Sequence, residues 1–339
     1  MISKRTLGQI ATGLAATLLL GTAALADTTR IRFHTFYGTE IDDIAKKFRT
    51  AVEENSGGEL KIQYFRGGEL VASDQFVDAV SKGSIDVAYG VGSYWPGMVD
   101  MGNIEAGLPG FWTSKDEATA IFENATFAKL LSDAYAEQGV TLIGRGYGSD
   151  YDLLTKKPVT SLDDLKSMKI RATGQVAKVL QAFDIPTVYL PAQELYIGMS
   201  TGVIDGAIYG GPVEYEQLKL NEVATHYTFL NMLNPGWTDT IIANPKTWEG
   251  LSEKNRAALQ EAIDQYAADI HAWLEDGNNA IIEAGDQSIF EFATLPAEDS
   301  ARLTEAAQSV WQEEAAKSER NAAAIGILVE NAKAQGRLK

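Results

Sequence analysis

The sequence predicts an α/β protein of two lobes, each a small, mostly parallel sheet with flanking helices, joined by one long helix that spans both lobes. Three observations predict this fold. Short β-type runs alternate with helical patterns along most of the chain. One strand-helix-strand-helix-strand unit occurs twice, and a long amphipathic pattern follows the second copy.

The first copy of the unit begins near residue 31. Apolar residues from Ile41 to Val52 recur at helical spacing, and the glycine-rich residues 55–58 end that helix. Leu60–Phe65 alternates like a strand, and a second helix beginning near Phe76 ends at Gly83. A third strand then completes the unit.

The second copy is recognised by matches in the same order. Residues 81–90 (SKGSIDVAYG) are echoed by residues 200–210 (STGVIDGAIYG), with one residue inserted before the tyrosine. Two further matches lie upstream: Tyr64 with Glu69-Leu70 matches Tyr189 with Glu194-Leu195, and Ile31-Arg32 matches Ile170-Arg171. A chance match of one short string is common, but three in one order favour a duplication. Two facing α/β lobes create a cleft at the carboxyl ends of their strands.

The long helix is predicted after the second copy. Ser252 is a suitable N-cap, and the apolar positions from Leu259 to Trp273 lie on one face, in a pattern that persists to about Ile282. A helix of roughly thirty residues is about 45 Å long and crosses both lobes. It would restrict lobe motion to a hinge.

The predicted chain organisation is a signal peptide over residues 1–26 and two lobes. Lys4 and Arg5 precede an apolar run, and Ala24-Leu25-Ala26 resembles a cleavage site. The alternative of a membrane anchor is disfavoured because the run is shorter than the roughly 20 residues that a bilayer requires. Lobe I is assigned residues 27–150 and 238–280, and lobe II residues 151–237 and 281–339.

Composition excludes several classes of function. The formal net charge of −17 argues against a nucleic-acid partner, which requires a positive surface. The chain has no cysteine, so thiol catalysis and disulfides are excluded. An acidic protein also repels anions at long range, so a receptor for anions needs a local, preorganised cation.

Catalytic motifs are absent from the sequence. The three histidines lack metal-ligand spacing, and no nucleophile elbow or P-loop occurs. Residues 144–148 (GRGYG) are interpreted as a strand-end turn. Asp163 and Asp164 follow Ser161, and capping of a helix N-terminus is favoured over paired catalytic carboxylates.

Arg171 is the candidate cation. Strand alternation sends Ile170 and Ala172 to one face and Arg171 to the other, near the carboxyl end of its strand and so toward the predicted cleft. A guanidinium can hold a carboxylate by two charge-assisted hydrogen bonds. A surface salt bridge remains the alternative, because most arginines are exposed.

A family resemblance is carried by three segments, residues 157–171 (KPVTSLDDLKSMKIR), 190–196 (LPAQELY) and 202–207 (GVIDGA). Together they resemble the solute receptors of tripartite ATP-independent periplasmic (TRAP) transporters. The resemblance implies a periplasmic receptor that binds a small carboxylate at Arg171, closes on it and docks transiently on an integral-membrane permease. It gives no such role to Arg32, the counterpart of Arg171 in the first copy, and Arg32 is interpreted as structural.

Residues 208–212 (IYGGP) look closer to the branch that binds 2-oxo and 2-hydroxy monocarboxylates. That branch can hold a ligand-bridging metal, but Ile208 stands where the acidic ligand would be, so no cofactor is expected. The resemblance makes Gln175 and Tyr209 ligand contacts. Sialic-acid receptors carry an arginine near the position of Tyr151, and its absence argues against that substrate.

Aromatic residues are the remaining pocket candidates, although core packing is an equal alternative for them. The full set of candidate substrate-binding residues is Arg171, Gln175, Tyr209, Tyr94, Trp95, Tyr151 and Trp237.

Two other functions stay open: an exported lyase or isomerase of organic acids anchored at Arg171, and the receptor of an ABC importer. The ligand also stays open among oxo acids, hydroxy acids, dicarboxylates, sugar acids and zwitterions.

Overall fold

The computed structural model describes residues 28–233 and 235–338, so the predicted signal peptide lies outside the described residues. The described chain forms two α/β lobes, as the sequence predicts. None of its helices combines the length and the apolar character needed to cross a membrane.

Eleven strands and twelve α-helices are present in the described residues. In chain order they are β1 (Thr29–Thr35), α1 (Asp42–Asn55), β2 (Leu60–Phe65), α2 (Phe76–Ser81), β3 (Val87–Gly90), α3 (Gly102–Ala106), α4 (Lys115–Glu123), α5 (Ala125–Ala136), β4 (Thr141–Tyr147), β5 (Leu153–Thr155), β6 (Ile170–Arg171), α6 (Gly174–Gln181), β7 (Thr187–Val188), α7 (Leu195–Ser200), β8 (Gly206–Ile208), α8 (Pro212–Gln217), β9 (His226–Phe229), β10 (Thr238–Ala243), α9 (Pro245–Gly250), α10 (Glu253–Ala284), β11 (Glu291–Thr294), α11 (Ala297–Ala315) and α12 (Glu319–Ala334). Short 3-10 helices lie at Thr39–Ile41, Ser73–Gln75, Gly92–Tyr94, Leu162–Ser167, Ala192–Glu194 and Leu220–Glu222.

The two sheets share one strand arrangement. The first has the order β2-β1-β3-β10-β4, and the second has β7-β6-β8-β5-β9-β11. In each sheet the first three strands are parallel, and the fourth is antiparallel to both of its neighbours. The fourth strand of each sheet enters from the other lobe, so the chain crosses between lobes at residues 148–152 and again between β9 and β10, where the described residues are 230–233 and 235–237.

The predicted duplication is confirmed, but the residue-by-residue alignment of its two copies needs a correction at their first strands. The units β1-α1-β2-α2-β3 and β6-α6-β7-α7-β8 have the same order and pairing. Val87, which follows Asp86, pairs with Phe33, and Gly206, which follows Asp205, pairs with Ile170.

Phe33 therefore corresponds to Ile170, which makes His34 the counterpart of Arg171. The sequence match of Arg32 with Arg171 is wrong by two residues. Because strand side chains alternate with a period of two, a shift of two residues leaves the facing pattern unchanged. The sequence pattern alone therefore does not reveal this two-residue error in the alignment.

The long helix is confirmed as α10, which has 32 residues and begins after Ser252, whose hydroxyl accepts a hydrogen bond from the backbone N–H of Asn255 at 3.2 Å. It packs against α1 and β4 in the first lobe and against α8 in the second. The buried residues of its inner face include Leu259, Ile263 and Ile270. Burial of this stripe against both lobes makes α10 a strut between them.

The two C-terminal helices pack on different lobes. Helix α11 lies against α6 of the second lobe, whereas α12 lies against α3, α4 and α5 of the first. The sequence assigns all of residues 281–339 to the second lobe, whereas α12 packs on the first. The lobe ranges as a whole stay a prediction. A third connection between the lobes therefore runs through residues 316–318, between α11 and α12.

Two local predictions meet the structure differently. Residues 144–147 lie within β4, so the predicted strand-end turn is wrong. The glycines serve close packing instead, because a Cβ on Gly146 would lie 2.2 Å from the hydroxyl of Tyr89. Asp164 accepts a hydrogen bond from the backbone N–H of Ser161 at 2.9 Å, which confirms the capping role at the start of a 3-10 helix.

Candidate ligand-binding site

A cavity lies between the lobes, at the carboxyl ends of the parallel strands. Its empty space, which includes some space open to solvent, is about 490 Å³. Both lobes and both crossing segments contribute to its wall. The lining residues are Phe36, Val91, Ser93, Tyr94, Asn103, Ala106, Gly107, Tyr151, Thr173, Gly174, Gln175, Val176, Tyr209, Gly236 and Trp237. A wider space of about 1070 Å³ shares Ser93, Tyr94, Asn103, Thr173, Gly174 and Gln175 with it.

The crossing segments form the back of the cavity and hold each other closely. The backbone N–H of Gly148 donates to the carbonyl of Trp237 at 3.0 Å, and that of Gly236 donates to Ser149 at 2.6 Å. A Cβ on Gly236 would lie 2.4 Å from the Cβ of Tyr151. Glycine is therefore required where the two segments touch.

Arg171 is buried beside this cavity, with 1% of its surface exposed. Its Nε donates to the carbonyl of Leu190 at 3.0 Å, and its Nη1 donates to the carbonyl of Ile208 at 2.9 Å. No hydrogen bond of Nη2 to another described residue is found. Two backbone carbonyls thus fix the plane of the guanidinium, while its positive charge has no carboxylate within salt-bridge distance in the described chain.

Four tyrosines surround the guanidinium. Its Cζ lies 5.2 Å from the ring centroid of Tyr209 and 5.7 Å from the ring centroid of Tyr189, both within cation–π distance. Tyr94 and Tyr151 are its other close aromatic neighbours, and both line the cavity. Burial raises the pKa of Tyr94 and Tyr209, so both remain neutral hydrogen-bond donors at physiological pH. The aromatic surroundings exclude water and strengthen any ion pair made there.

Tyr151 and Trp237 are held by polar partners. The Tyr151 hydroxyl lies 2.6 Å from the hydroxyl of Thr173. The indole N–H of Trp237 donates to Asp239 at 3.0 Å, and the hydroxyl of Tyr89 donates to the other oxygen of that carboxyl at 2.9 Å. Burial raises the pKa of Asp239 to about 7. These bonds fix two aromatic walls of the cavity in place.

Gln175 reaches the cavity from the first turn of α6. Its amide nitrogen donates to the carboxylate of Glu314, and that same carboxylate oxygen accepts a hydrogen bond from the ammonium of Lys317. Glu314 is fully buried. The side-chain carbonyl oxygen of Gln175 is also buried and has no hydrogen-bond partner among the described residues.

The structure brings six of the seven predicted site residues together at or beside the cavity and leaves out Trp95. The indole N–H of Trp95 donates to the carbonyl of Ser73 at 2.7 Å, and its ring packs on Gly90 inside the first lobe. Only 1% of its surface is exposed. Its neighbour Tyr94 takes the cavity-facing position instead.

Several residues at the site were not predicted from the sequence. Asn103 lines the cavity from α3, and its side-chain oxygen is buried without a partner in the described chain. Glu314, which positions Gln175, is 139 residues away from it in the chain. Tyr189 was noted only as a repeat match. No local pattern marks these residues, because tertiary folding alone brings them to the cavity.

The described residues contain no group of three or more histidine, cysteine, aspartate or glutamate side chains arranged to hold a metal ion. Ile208 is fully buried, and its contribution near the site is the carbonyl that binds Arg171.

The described lining residues also include no histidine, lysine, aspartate or glutamate that could serve as a general base. The arrangement of cleft, hinge and lone cation defines a two-lobed receptor for a small ligand.

Comparisons with known proteins identify the family. Residues 38–318 match the family described as bacterial extracellular solute-binding protein, family 7. The chain belongs to this family, whose members are solute receptors rather than enzymes, and the resemblance to TRAP solute receptors is confirmed.

Three similar proteins illustrate the relationship. A monocarboxylate 2-oxoacid-binding periplasmic protein of Nostoc sp. is 28% identical over 67% of this chain and 61% of its own length. The ectoine/5-hydroxyectoine-binding periplasmic protein UehA of Ruegeria pomeroyi is 30% identical over 72% of both chains. A TRAP periplasmic solute-binding protein from Chromohalobacter salexigens, solved with bound (S)-(+)-2-amino-1-propanol, has a TM-score of 0.84 and 22% identity, covering 91% of this chain and 97% of its own.

Proposed function

We propose that this chain is the periplasmic receptor of a TRAP transporter and captures a small organic acid in the cleft between its lobes, with the ligand carboxylate on Arg171. The observation that carries the proposal is a buried guanidinium next to the cavity with no carboxylate partner in the described chain. A buried cation that lacks an anionic partner is costly, and a bound carboxylate removes that cost.

The distribution of charge supports an anionic ligand. The chain carries a formal net charge of −17, so its long-range field does not attract anions. Arg171 supplies the local compensation, because two backbone carbonyls preset its orientation before a ligand arrives. A pair formed among buried tyrosines is poorly screened by solvent and salt.

Closure follows from the division of the wall between the lobes. A ligand that contacts Tyr94 of the first lobe and Tyr209 of the second stabilises the closed arrangement over an open one. The contact between Gly148 and Trp237 and the strut α10 confine that motion to a hinge. The closed receptor then docks on the membrane permease, as a TRAP receptor does.

Catalysis is not part of the proposal. Reactions of organic acids need an acid or base within hydrogen-bonding reach of the substrate. The ionisable groups of the described lining are tyrosines, and burial raises the pKa of Tyr94 and Tyr209 further from the physiological range. The ligands of the related proteins include a 2-oxoacid and ectoine, which share a carboxylate. The resemblance to the 2-oxo and 2-hydroxy acid branch favours that class for this chain as well.

A thermal-shift screen followed by calorimetry tests the proposal. Oxo acids, hydroxy acids, dicarboxylates, sugar acids and zwitterions are compared, because a ligand that binds only the native state raises its stability by about 2.7 kcal/mol at 100 times Kd. For the best ligand, Arg171→Ala is expected to lower affinity by about 2 to 5 kcal/mol, the range for breaking a desolvated charge pair.

The matched control is Arg32→Ala. Arg32 binds Asp86 through Nε at 2.8 Å and lies outside the cavity lining, so the change should leave the affinity within about twofold of wild type. Wild-type affinity in Arg171→Ala, or an equal loss in both variants, would contradict the proposed role of Arg171.

A further inference from the structure

We infer that the cavity selects carboxylates that also carry a hydroxyl or ammonium group, whose hydrogen is received by the side-chain oxygen of Gln175 together with Asn103. The inference rests on the proposed function and names the ligand class for the same cleft. It depends on the direction in which one amide group points. That direction is fixed by residues that do not touch the ligand.

The amide of Gln175 has one permitted orientation. The Glu314 carboxylate oxygen that contacts it also accepts a hydrogen bond from the ammonium of Lys317, so this oxygen acts as an acceptor. Only the NH₂ side of the Gln175 amide can donate to it. Gln175 must therefore turn its carbonyl oxygen away from Glu314, and Gln175 itself lines the cavity.

That carbonyl oxygen is an unpaired acceptor. It is buried and has no hydrogen-bond partner among residues 28–233 and 235–338, and only 4% of the Gln175 surface is exposed. A buried acceptor left without a donor destabilises the structure, because it has lost its hydrogen bonds to water and gained none in their place. A ligand that brings an O–H or N–H group recovers this energy, whereas a ketone oxygen in the same place faces another acceptor.

Asn103 supplies a second acceptor from the opposite lobe. Its side-chain oxygen is buried without a partner in the described chain, and a Cβ built on Gly174 would lie 3.1 Å from it. The start of α6 and the start of α3 therefore approach each other across the cleft. A donor placed between Gln175 and Asn103 bridges the two lobes, which couples recognition of the donor to closure.

A second carboxylate on the ligand has no counter-charge. Within the described lining of the cavity there is no lysine or arginine, and Arg171 lies beside it, 5.2 Å from the ring centroid of Tyr209. Lys178 and Lys317 border the wider outer space, but they contact Glu313 and Glu314 respectively. Dicarboxylates are thus disfavoured. Within the class of 2-oxo and 2-hydroxy acids that the proposed function favours, the inference selects the hydroxy acids, because the ketone of a 2-oxo acid only accepts hydrogen bonds.

The direct test is calorimetry on wild-type protein with acids of matched length. A four-carbon set consists of butyrate, 2-oxobutyrate, 2-hydroxybutyrate, 3-hydroxybutyrate, 2-aminobutyrate, 4-aminobutyrate and succinate, and a six-carbon set repeats the same substitutions. We expect at least one hydroxy or amino acid to bind roughly 10- to 100-fold more tightly than the oxo, unsubstituted and dicarboxylic acids of its set. Equal or tighter binding of the oxo acids would overturn the inference.

Variants of the acceptor test its mechanism. Gln175→Met keeps the length and removes the acceptor, so the donor preference should shrink to within about threefold. Gln181→Met, an exposed position on the same helix, should leave the preference unchanged. Glu314→Gln frees the amide of Gln175 to turn, and it should reduce the preference while butyrate affinity stays within about threefold.

Gln175→Met also serves if Glu314→Gln fails to fold. An unchanged donor preference in Gln175→Met contradicts the inference.

The two proposals fail in different ways. Arg171→Ala should weaken every acid of a set by a similar factor, whereas Gln175→Met should change only the ratio within the set. A wild-type protein that binds none of the acids contradicts the proposed function and the inference with it. Binding that depends on Arg171 but shows no donor preference contradicts the inference alone.

Discussion

His34 and Arg171 occupy equivalent places in the two lobes and do different things there. Each lies on the second strand of its sheet, opposite an alanine of the third strand, Ala88 for His34 and Ala207 for Arg171. Each also reaches the loop after the outer strand. The Nε2 of His34 accepts from the backbone N–H of Leu70 at 3.3 Å, and the Nε of Arg171 donates to a carbonyl in the corresponding loop.

The two side chains differ in the hydrogen-bonding groups and the charge that remain available to a ligand. The second ring nitrogen of His34 lies 2.9 Å from the carbonyl of Thr35, so both nitrogens are occupied, and burial lowers the pKa of this imidazole. Arg171 cannot lose its charge and has five N–H donors, of which the carbonyls of Leu190 and Ile208 use two. One duplicated position is therefore closed and neutral, while the other keeps a charge for a ligand.

The equivalent aspartates of the two copies, Asp86 and Asp205, also differ in their partners. Asp86 binds the side chain of Arg32, whereas its counterpart Asp205 accepts only from the backbone N–H of Lys169 at 2.9 Å within the described chain. The first copy of the duplicated unit thus pairs its acid with its own arginine. The second lobe keeps its buried arginine away from its acids, and the following variants test that division in order of decreasing effect.

Asp86→Ala should have the largest effect on stability. Asp86 accepts hydrogen bonds from the backbone and the side chain of Arg32, each at 2.8 Å, and from Thr247 at 3.0 Å. Its removal should lower the free energy of unfolding by about 3 kcal/mol, as for a broken, partly buried charge pair. Urea denaturation measures this loss, and calorimetry should find ligand affinity unchanged. A loss below about 1 kcal/mol would show that the pair is screened like a surface salt bridge.

Glu214→Gln should remove part of the pH dependence of stability. Glu214 is buried in the second lobe, accepts from Gly211 and Ser149, both at 3.0 Å, and has its pKa raised by burial to about 8. The folded carboxyl therefore holds a proton that the unfolded chain releases above its ordinary pKa of about 4.3. This contribution to stability is complete below that value and is lost as the pH rises toward 8.

Between pH 5 and pH 8, wild-type protein should lose about 2 kcal/mol more unfolding free energy than the glutamine variant. Thermal denaturation at several pH values measures the difference. The opposite sign is expected at Asp86, where burial acts to raise the pKa but the bonds from Arg32 bring it below its ordinary value. Identical pH profiles for wild type and Glu214→Gln would mean that this buried carboxyl is ionised in the fold.

The sequence predicts the architecture well because periodicity and capping are local. The strand Leu60–Phe65, the cap at Ser252 and the duplicated Gly-x-Ile-Asp turns each depend on residues near one another in the chain. The frame of the duplication is not local, because it depends on which residues pair between strands. Strand alternation shows which face a side chain takes, but not how far along the strand it lies.

The site is only partly predictable for a related reason. Alternation and resemblance select Arg171, and the structure places it beside the cleft. Tyr94 and Trp95 are adjacent aromatics, and sequence alone does not show which of them turns into the core. Glu314 acts on Gln175 from α11, so only the packing of α11 on α6 reveals that the amide has a fixed direction.

Asp205→Ala should destabilise the chain less than Asp86→Ala. Asp205 is half-buried, and its side chain accepts from the backbone N–H of Lys169, with no arginine partner in the described chain. Loss of one such bond costs about 1 kcal/mol. Urea denaturation of the two variants side by side measures the contribution of Arg32 to the first copy. Equal losses of unfolding free energy in the two variants would mean that the guanidinium of Arg32 contributes no stability beyond the backbone hydrogen bond that both aspartates accept.

His34→Phe should have the smallest effect and tests the comparison directly. The ring would still pack against Phe76, and the N–H of Leu70, a residue with 46% of its surface exposed, can bond water instead, so the unfolding free energy should change by less than about 1 kcal/mol. Ligand affinity should stay within twofold of wild type, in contrast to Arg171→Ala. Because the pKa of His34 is lowered in the fold, protonation below about pH 6.5 opposes folding, and the variant should lose less stability on acidification. A marked loss of affinity in His34→Phe would show that both copies of the duplicated position act on the ligand, and that the division between a closed lobe and a charged lobe is wrong.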